Sequence, residues 1–268
     1  MNRRDDLYTR RETTSGSFRF DEQVVDVFPD MIDRSVPGYA LLVPMIGQLA
    51  RRFVQPGSTV HDLGCSLGAV TLAVRAALKG REDVSGIRLI ATDNAEAMVA
   101  RFDTLLGEAD VPHERTSTAL LASSSSRINA SQETLPVLLC HGDIREVPIE
   151  NASFAALNFT LQFLEPEDRD QLLSRLSQGL RPGGALVLAE KVHFDEAATA
   201  RRQTDWHHDY KRLQGYSELE IARKRAALER VLLAETETVH MERLRRCGFR
   251  RVTRWFQCFG FHAWLAER

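Results

Sequence analysis

The sequence predicts an α/β protein built on a doubly wound, mostly parallel sheet of seven strands, with an N-terminal helical lid and a terminal antiparallel hairpin. Three observations carry that prediction. From Ser58 onward, short apolar runs alternate with amphipathic helical segments over about 130 residues, which is the pattern of repeated strand–helix units. The first of these runs, STVHDLG, ends in glycine directly before a helical segment. The chain closes on FRRVTRWFQCFGFHAWLAE, two aromatic-rich runs around Gly260, and an antiparallel edge pair is permitted on such a sheet.

Residues 1–56 read as a helical segment. FDEQVVDVFPDMIDR sets Val24, Val25, Phe28 and Ile32 at helical spacing, and YALLVPMIGQLARRFV continues with Leu41, Leu42, Met45, Leu49 and Phe53. Pro44 should kink this helix or begin it afresh, because it lacks the N–H that a helix interior needs. Residues 57–192 read as the core. STVHDLG is a strand and LGAVTLAVRAALKG a helix stopped at Gly80. IRLIATD is the second strand, and NAEAMVARFDTLLG a helix with Asn94 as its cap. Residues 107–135 are polar and Ser-rich, so they read as a mobile surface insertion. LPVLLCHGDI is the third strand and SFAALNFTLQFL the fourth. PEDRDQLLSRLSQGL is a helix with Leu172, Leu173, Leu176 and Leu180 on one face, and RPGGALVLAEKV turns into the fifth strand. Residues 193–268 add a charged helical segment and the two terminal strands, all within one domain.

Composition narrows the function classes. The chain has 268 residues, 35 basic against 37 acidic, and a formal net charge of −2. That balance gives no basic footprint for coating nucleic acid. The four cysteines, Cys65, Cys140, Cys247 and Cys258, are widely spread, with no zinc-finger or disulfide spacing. The first 20 residues are charged and carry no apolar signal core, and no apolar run approaches the roughly 20 residues of a membrane span. A cytoplasmic protein is expected.

Chemistry concentrates at the strand ends. In VHDLGCSLG, Gly64 and Gly68 let the backbone pass close to a ligand, and the next helix starts with free N–H groups. Tight turns between strand and helix need glycine for steric reasons alone, so the loop is weak evidence by itself. Asp93, ending the second strand, is placed to accept both ribose hydroxyls of an adenosine. Asp143, ending the third, is placed to accept from an adenine amino group. As isolated acids both would read as caps or solvated loop residues; in this order behind Gly64 they favour an adenosyl ligand. Neither G-x-x-x-x-G-K-[ST] nor G-x-G-x-x-G occurs, which argues against ATP and dinucleotides. Asp62 beside the loop suits an ammonium or sulfonium better than a pyrophosphate, and S-adenosylmethionine carries both cations. Adjacent His207 and His208 diverge by about 100° on a helix, which argues against a metal site.

The order DLGCSLG, TDN, GDI, a fourth strand and LRPGGALVLAEK resembles the class I S-adenosylmethionine-dependent methyltransferase fold. Further segments, FDEQVVDVFPDMIDRSVPGY, ENASFAALNFTLQFLEP, WHHDYKRLQGYSELEIARKR and RWFQCFGF, resemble the carboxy-S-adenosyl-L-methionine synthase family. The resemblance covers nearly the whole chain outside 107–135 and about the first 16 residues. It implies that prephenate gives its carboxylate to the methyl group of S-adenosyl-L-methionine. Phenylpyruvate leaves, and the product supplies 5-oxyacetyluridine formation at the tRNA wobble position. In the family picture the hydroxide lost from prephenate takes a methyl proton, and the resulting ylide captures the carbon dioxide, so no general base from the chain is required. No metal takes part, and no direct contact with nucleic acid or membrane is implied. Residue by residue, the resemblance sets Tyr39 over the methionine part, and Gly64, Cys65 and Ser66 along it. Asp93 holds the ribose with Asn94 beside the adenine, and Asp143 and Ile144 bracket the adenine edge. Asn158 sits by the sulfonium. Arg225 pairs with the new carboxylate, reaching across from the other subunit of a homodimer; without the resemblance, the Arg223–Lys224–Arg225 run would read as a solvated helix face. Catalysis then falls to Arg225, Asn158 and Tyr39. Two other readings share these residues: a conventional methyltransferase releasing S-adenosylhomocysteine, and a non-catalytic S-adenosylmethionine-binding protein.

Overall fold

A computed structural model describes residues 4–9, 18–81, 83, 85–123 and 135–268. α1 (Glu22–Ser35) starts where Asp21 accepts hydrogen bonds from the backbone N–H of Gln23 and Val24, which satisfies two of the free donors at the helix start. It buries Val24, Val25, Val27 and Met31. α2 (Tyr39–Phe53) then runs through Pro44 without a break. The expected interruption falls earlier, at Val36–Gly38, where Gly38 takes a left-handed φ of 81°. Pro44 is tolerated because it and Ala40, whose carbonyl loses the helical bond, are both exposed to water. The apolar face also differs from the expected one. Leu41 and Met45 are 62% and 41% exposed, while Leu42, Ile46 and Ala50 are fully buried. α2 packs on α3 (Ala69–Leu78) so closely that a Cβ at Gly47 would lie 2.6 Å from the Ala73 carbonyl oxygen.

Between these helices lies β1 (Thr59–Leu63), every residue of it buried. It pairs in parallel with β2 (Arg88–Asp93). α4 (Glu96–Glu108) follows without a cap from Asn94; Ala95 is the capping position and makes no side-chain bond. The chain next forms β3 (His113–Ser117) and α5 (Thr118–Ser123), inside the stretch expected to be an irregular insertion. Residues 124–134 of that stretch lie outside the described residues. β3 pairs in parallel with β4 (Val137–His141) and brings the sheet to eight strands among the described residues, one more than expected. HERTS carries no apolar alternation because it sits on an edge and buries no face, so the usual strand signal is missing.

β5 (Ala152–Asn158) is shorter than SFAALNFTLQFL suggested, since Leu161–Phe163 form a 3₁₀ turn. α6 (Pro166–Gly179) buries Leu172, Leu173 and Leu176 as expected. β6 (Leu180–Lys191) is followed by α7 (Ala197–Leu213), α8 (Glu218–Leu228) and α9 (Glu237–Arg246). β7 (Arg251–Cys258) and β8 (Phe261–Glu267) close the sheet as an antiparallel hairpin, β8 lying against β6.

The strand order is β3-β4-β2-β1-β5-β6-β8-β7. Successive residues of a strand face opposite sides, and the two cores follow that rule. Leu89, Val137, Phe154, Ala156 and Val187 join one cluster with α2, α3 and α4. Ala155, Leu157, Leu186, Leu188 and Trp264 join the other with α6 and α9. Burial on both faces is why the central strands read as continuous apolar runs. Because the five central strands run parallel, their carboxyl ends, and the loops after them, share one margin of the sheet. Among the described residues, no helix is long and apolar enough to cross a membrane.

Candidate active site

The turn from β1 into α3 is shaped by three left-handed positions, Gly64, Ser66 and Gly68, with φ of 78°, 50° and 79°. A Cβ at Gly64 would stand 2.3 Å from Thr160 Cγ2, and one at Gly68 would stand 1.9 Å from the Phe102 ring. Glycine is therefore required at both, by conformation and by space. Ser66 holds its unusual φ because its N–H donates to Asp93 Oδ2 at 2.8 Å. Gly64 N and Cys65 N both donate to the Thr92 carbonyl, at 2.8 and 3.0 Å. The loop is thus fastened to the end of β2.

Asp93 accepts a second backbone bond, from Ala95 N to Oδ1 at 2.9 Å. A carboxylate has about four acceptor sites, so capacity remains for hydroxyl groups. Burial raises its pKa, against the bonds from Ala95 and Ser66. Asp62 lies at the end of β1, with Oδ2 accepting from Thr71 N at 2.9 Å and Thr71 Oγ1 at 2.5 Å. Burial pushes the Asp62 carboxyl up to about 6. No lysine or arginine neutralises either carboxylate among the described residues.

A cavity of about 260 Å³ opens at this margin. Tyr39, Gly64, Cys65, Ser66, Asp93, Asn94, Asp143, Ile144 and Asn158 all line it, together with Asp62. Every site residue expected from the sequence is present there except Arg225. Asp143, after β4, is bound by Arg145, whose Nε lies 3.0 Å from both carboxylate oxygens, and Arg145 also reaches Asp168 at 2.6 Å. The Arg145 guanidinium holds the Asp143 carboxyl below its ordinary range. Asn158 ends β5 beside the Tyr39 phenol, and its Oδ1 is buried without a partner. The turn beyond it is set by Glu190, a fully buried residue of β6 that accepts from Leu161 N at 3.0 Å and Gln162 N at 2.9 Å.

Arg225, on α8, is exposed and outside the cavity lining, although its charge still lowers the pKa of Lys191 and Lys211. Sequence reasoning missed three lining residues, Lys191, Lys211 and Lys224. Lys211 and Lys224 sit on charged, weakly amphipathic helices, which read as a solvated face, whereas Lys191 carried the same signal as Asp93, the carboxyl end of a parallel strand. It also missed the wall formed by Phe18, Phe20, Phe28 and Phe163. Phe20 stands edge-on to Phe18 and Phe163, with ring centroids 5.0 and 5.4 Å apart. His207 lines the cavity as well, its Nε2 donating to the Ser35 carbonyl at 2.8 Å.

The residues fit an adenosyl sulfonium: Asp93 and Asp62, which no lysine or arginine pairs, for the ribose and the cation, a turn at Gly64–Ser66 that lines the cavity, and a buried acceptor on Asn158 that no protein group occupies.

No family model matches the chain. The carboxy-S-adenosyl-L-methionine synthase of Erwinia tasmaniensis is 48% identical over 266 residues, spanning 99% of this chain and 98% of the relative. That of Klebsiella pneumoniae strain 342 is 47% identical over 268 residues, spanning 100% and 98%. Among solved structures, an O-methyltransferase family protein from Burkholderia thailandensis superposes with a TM-score of 0.61 at 13% identity, covering 93% of this chain and 60% of that one. Human N-acetylserotonin methyltransferase in complex with SAM superposes with a TM-score of 0.53 at 16% identity, covering 92% and 55%. At such identities the solved structures speak for the fold, which is that of the class I methyltransferases. This chain spans little more than half of either.

Proposed function

The chain belongs to the carboxy-S-adenosyl-L-methionine synthase family, and from that premise we propose that prephenate is its carboxyl donor. The chain is a transferase that makes carboxy-S-adenosyl-L-methionine from S-adenosyl-L-methionine. With prephenate the balance closes: the dianion yields phenylpyruvate, carbon dioxide and hydroxide. The hydroxide removes a proton from the sulfonium methyl group as water, and the resulting carbanion adds to the carbon dioxide. Aromatisation of the ring drives the first step, and the neighbouring sulfonium stabilises the carbanion.

The protein's share is to bind, orient and exclude water. Asp93 takes the ribose with Asn94 beside the adenine, and Asp143 and Ile144 bracket the adenine edge. Tyr39, Gly64, Cys65 and Ser66 hold the methionine part, and the orphaned Asn158 oxygen faces the sulfonium end. The phenylalanine wall keeps water from the carbanion. The observation that carries this reading is that one cavity holds carboxylates suited to a nucleoside and a cation, Asp93 and Asp62, together with lysines suited to an anion.

Arg225 is assigned to the product carboxylate of the partner subunit's site in a homodimer. Its exposure and its place outside its own cavity support that assignment. The product then serves a cytoplasmic route to 5-oxyacetyluridine at the tRNA wobble position. A net charge of −2 favours small-molecule work over direct RNA binding.

Incubation with S-adenosyl-L-methionine and prephenate, followed by mass spectrometry, tests the reading. The expected product is an adenosyl sulfonium heavier by one carbon dioxide unit, with phenylpyruvate in equal amount. S-adenosylhomocysteine with prephenate unconsumed would instead establish a methyltransferase.

A further inference from the structure

The β6 side of the cavity carries a charge imbalance that a cationic substrate does not explain. Lys191 ends β6, Lys211 lies in α7 and Lys224 in α8, and all three line the cavity. Lys211 and Lys224 are only 8% and 4% exposed. A buried ammonium is costly unless it is paired. Lys224 has its partners: Nζ donates to Ser35 Oγ at 2.8 Å and lies 3.4 Å from Asp5 Oδ2. Asp5 is itself shared with Tyr216, whose hydroxyl donates to it.

Lys191 and Lys211 differ. Neither meets a carboxylate among the described residues, and the charged groups that act on them are cations. Burial, followed by Lys224, Lys191 and Arg225, pushes the Lys211 ammonium down to about 7. Burial and Arg225 lower Lys191. His207 and His208, the titratable neighbours on α7, are held neutral by burial and Lys211 and supply no counter-charge. Asp5 and, beyond it, Asp30 act on Lys224, with Arg34 among the cations of that group, and neither is among the charges that act on Lys191 or Lys211.

We propose that Lys191 and Lys211 form the seat of a compact dianion, with one of its carboxylates held between the two ammonium groups. This rests on the carboxyl-transfer reading above and names the place of the donor within it. The seat lies across Asn158 from the nucleoside loops, because β5 separates β6 from β1 in the sheet. Donor and sulfonium therefore meet at Asn158. Ser35, which bonds both Lys224 and His207, and Phe28 lie two turns apart on α1. The same helix thus lines the seat and the apolar wall that receives the ring.

Calorimetry with prephenate, alongside steady-state kinetics, tests the seat on the full chain. Lys211→Met and Lys191→Met should each weaken prephenate, as Kd and as KM, by at least 30-fold. The Kd of S-adenosyl-L-methionine should stay within twofold. Lys211→Arg keeps a charge at the position and should recover part of the loss. Binding of the dianion should also draw a proton onto Lys211 at pH 8, seen as a buffer-dependent heat that vanishes in Lys211→Met. Removing one of two repelling buried charges should leave the fold intact; should one variant fail to fold, the other carries the test. Turnover with unchanged prephenate constants in the variants would overturn the seat and leave the carboxyl-transfer reading standing. Dianion binding without turnover would overturn that reading and leave the seat. A chain that binds no dianion at all would overturn the seat outright.

Discussion

The two sides of the cavity are built on opposite terms. On the β1–β2 side, carboxylates and backbone N–H groups satisfy one another before any ligand arrives: Asp93 holds Ser66 and Ala95, and Asp62 holds Thr71. On the β6 side, ammonium groups share one cavity, and burial, then neighbouring cations, lower the pKa of Lys191 and Lys211. The first arrangement is pre-organised, so a ligand adds bonds to a finished frame. The second is left short of negative charge, so a ligand completes it. A reaction that joins a cation to an anion requires one side of each sort.

The largest expected effect would come from Arg225, and it decides whether the second side is complete within one chain. Arg225→Ala should cost roughly 30- to several-thousand-fold in affinity for the carboxylated product, the loss seen when one partner of a buried charge pair is truncated. S-adenosyl-L-methionine, which lacks the extra carboxylate, should bind nearly unchanged. Mixed dimers of Asp93→Ala and Arg225→Ala chains separate the two geometries. Reach across the interface leaves one intact site in each hybrid, and activity returns. If hybrids form and stay inactive, each chain completes its own site.

The first side is tested by Asp93→Ala. Hydrogen bonds to a charged acceptor contribute roughly 1.5–3 kcal/mol, so S-adenosyl-L-methionine affinity should fall about 10- to 150-fold by calorimetry. An unchanged affinity would place the ribose elsewhere.

A smaller effect should follow pH. The Asp62 carboxyl titrates near 6 in the free protein. A cationic ligand favours its ionised form and lowers that value on binding. Affinity should therefore be complete above pH 6 and fall by up to about tenfold per unit as pH drops through it. A flat profile between pH 7 and 5 would show that Asp62 does not sense the cation.

The smallest effect concerns the frame alone. Asp21→Ala removes the cap of α1, whose bonds to Gln23 N and Val24 N are 3.1 and 3.2 Å. The expected cost is about 1 kcal/mol, a fall in Tm of roughly 2–4 °C. A large loss of S-adenosyl-L-methionine affinity in this variant would mean that α1 belongs to the nucleoside side as well.

The same division explains what the amino-acid order revealed. Asp62 and Asp93 lie at the ends of their strands and Gly64 and Asp143 just after theirs, and parallel strands deliver their ends to one margin, so position in the chain translated directly into position in the site. Lys191 ends a parallel strand and was within reach of the same rule, but Lys211 and Lys224 come from helices whose packing is tertiary. A lysine on a helix reads as solvated whether it faces water or a cavity. The strand at His113–Ser117 was hidden for a related reason, since an edge that buries no face writes no alternation. Pro44 misled because the cost of a proline depends on whether water reaches the carbonyl it leaves unbonded, which the local sequence does not record.

The two margins of the sheet have a consequence for the crowd rather than the single molecule. An open edge strand offers unpaired N–H and C=O groups on which another chain can add, the first step of aggregation. Here one edge is β3, five residues long with Glu114 and Arg115 exposed. The other is β7, with Arg251 and Arg254 exposed and a register shift between Arg254 and Phe256 that breaks its regular ladder. A short, charged edge and a charged, bulged one are both poor templates for strand addition. Among the described residues, both edges of a largely apolar sheet are thus guarded against strand addition by a second chain.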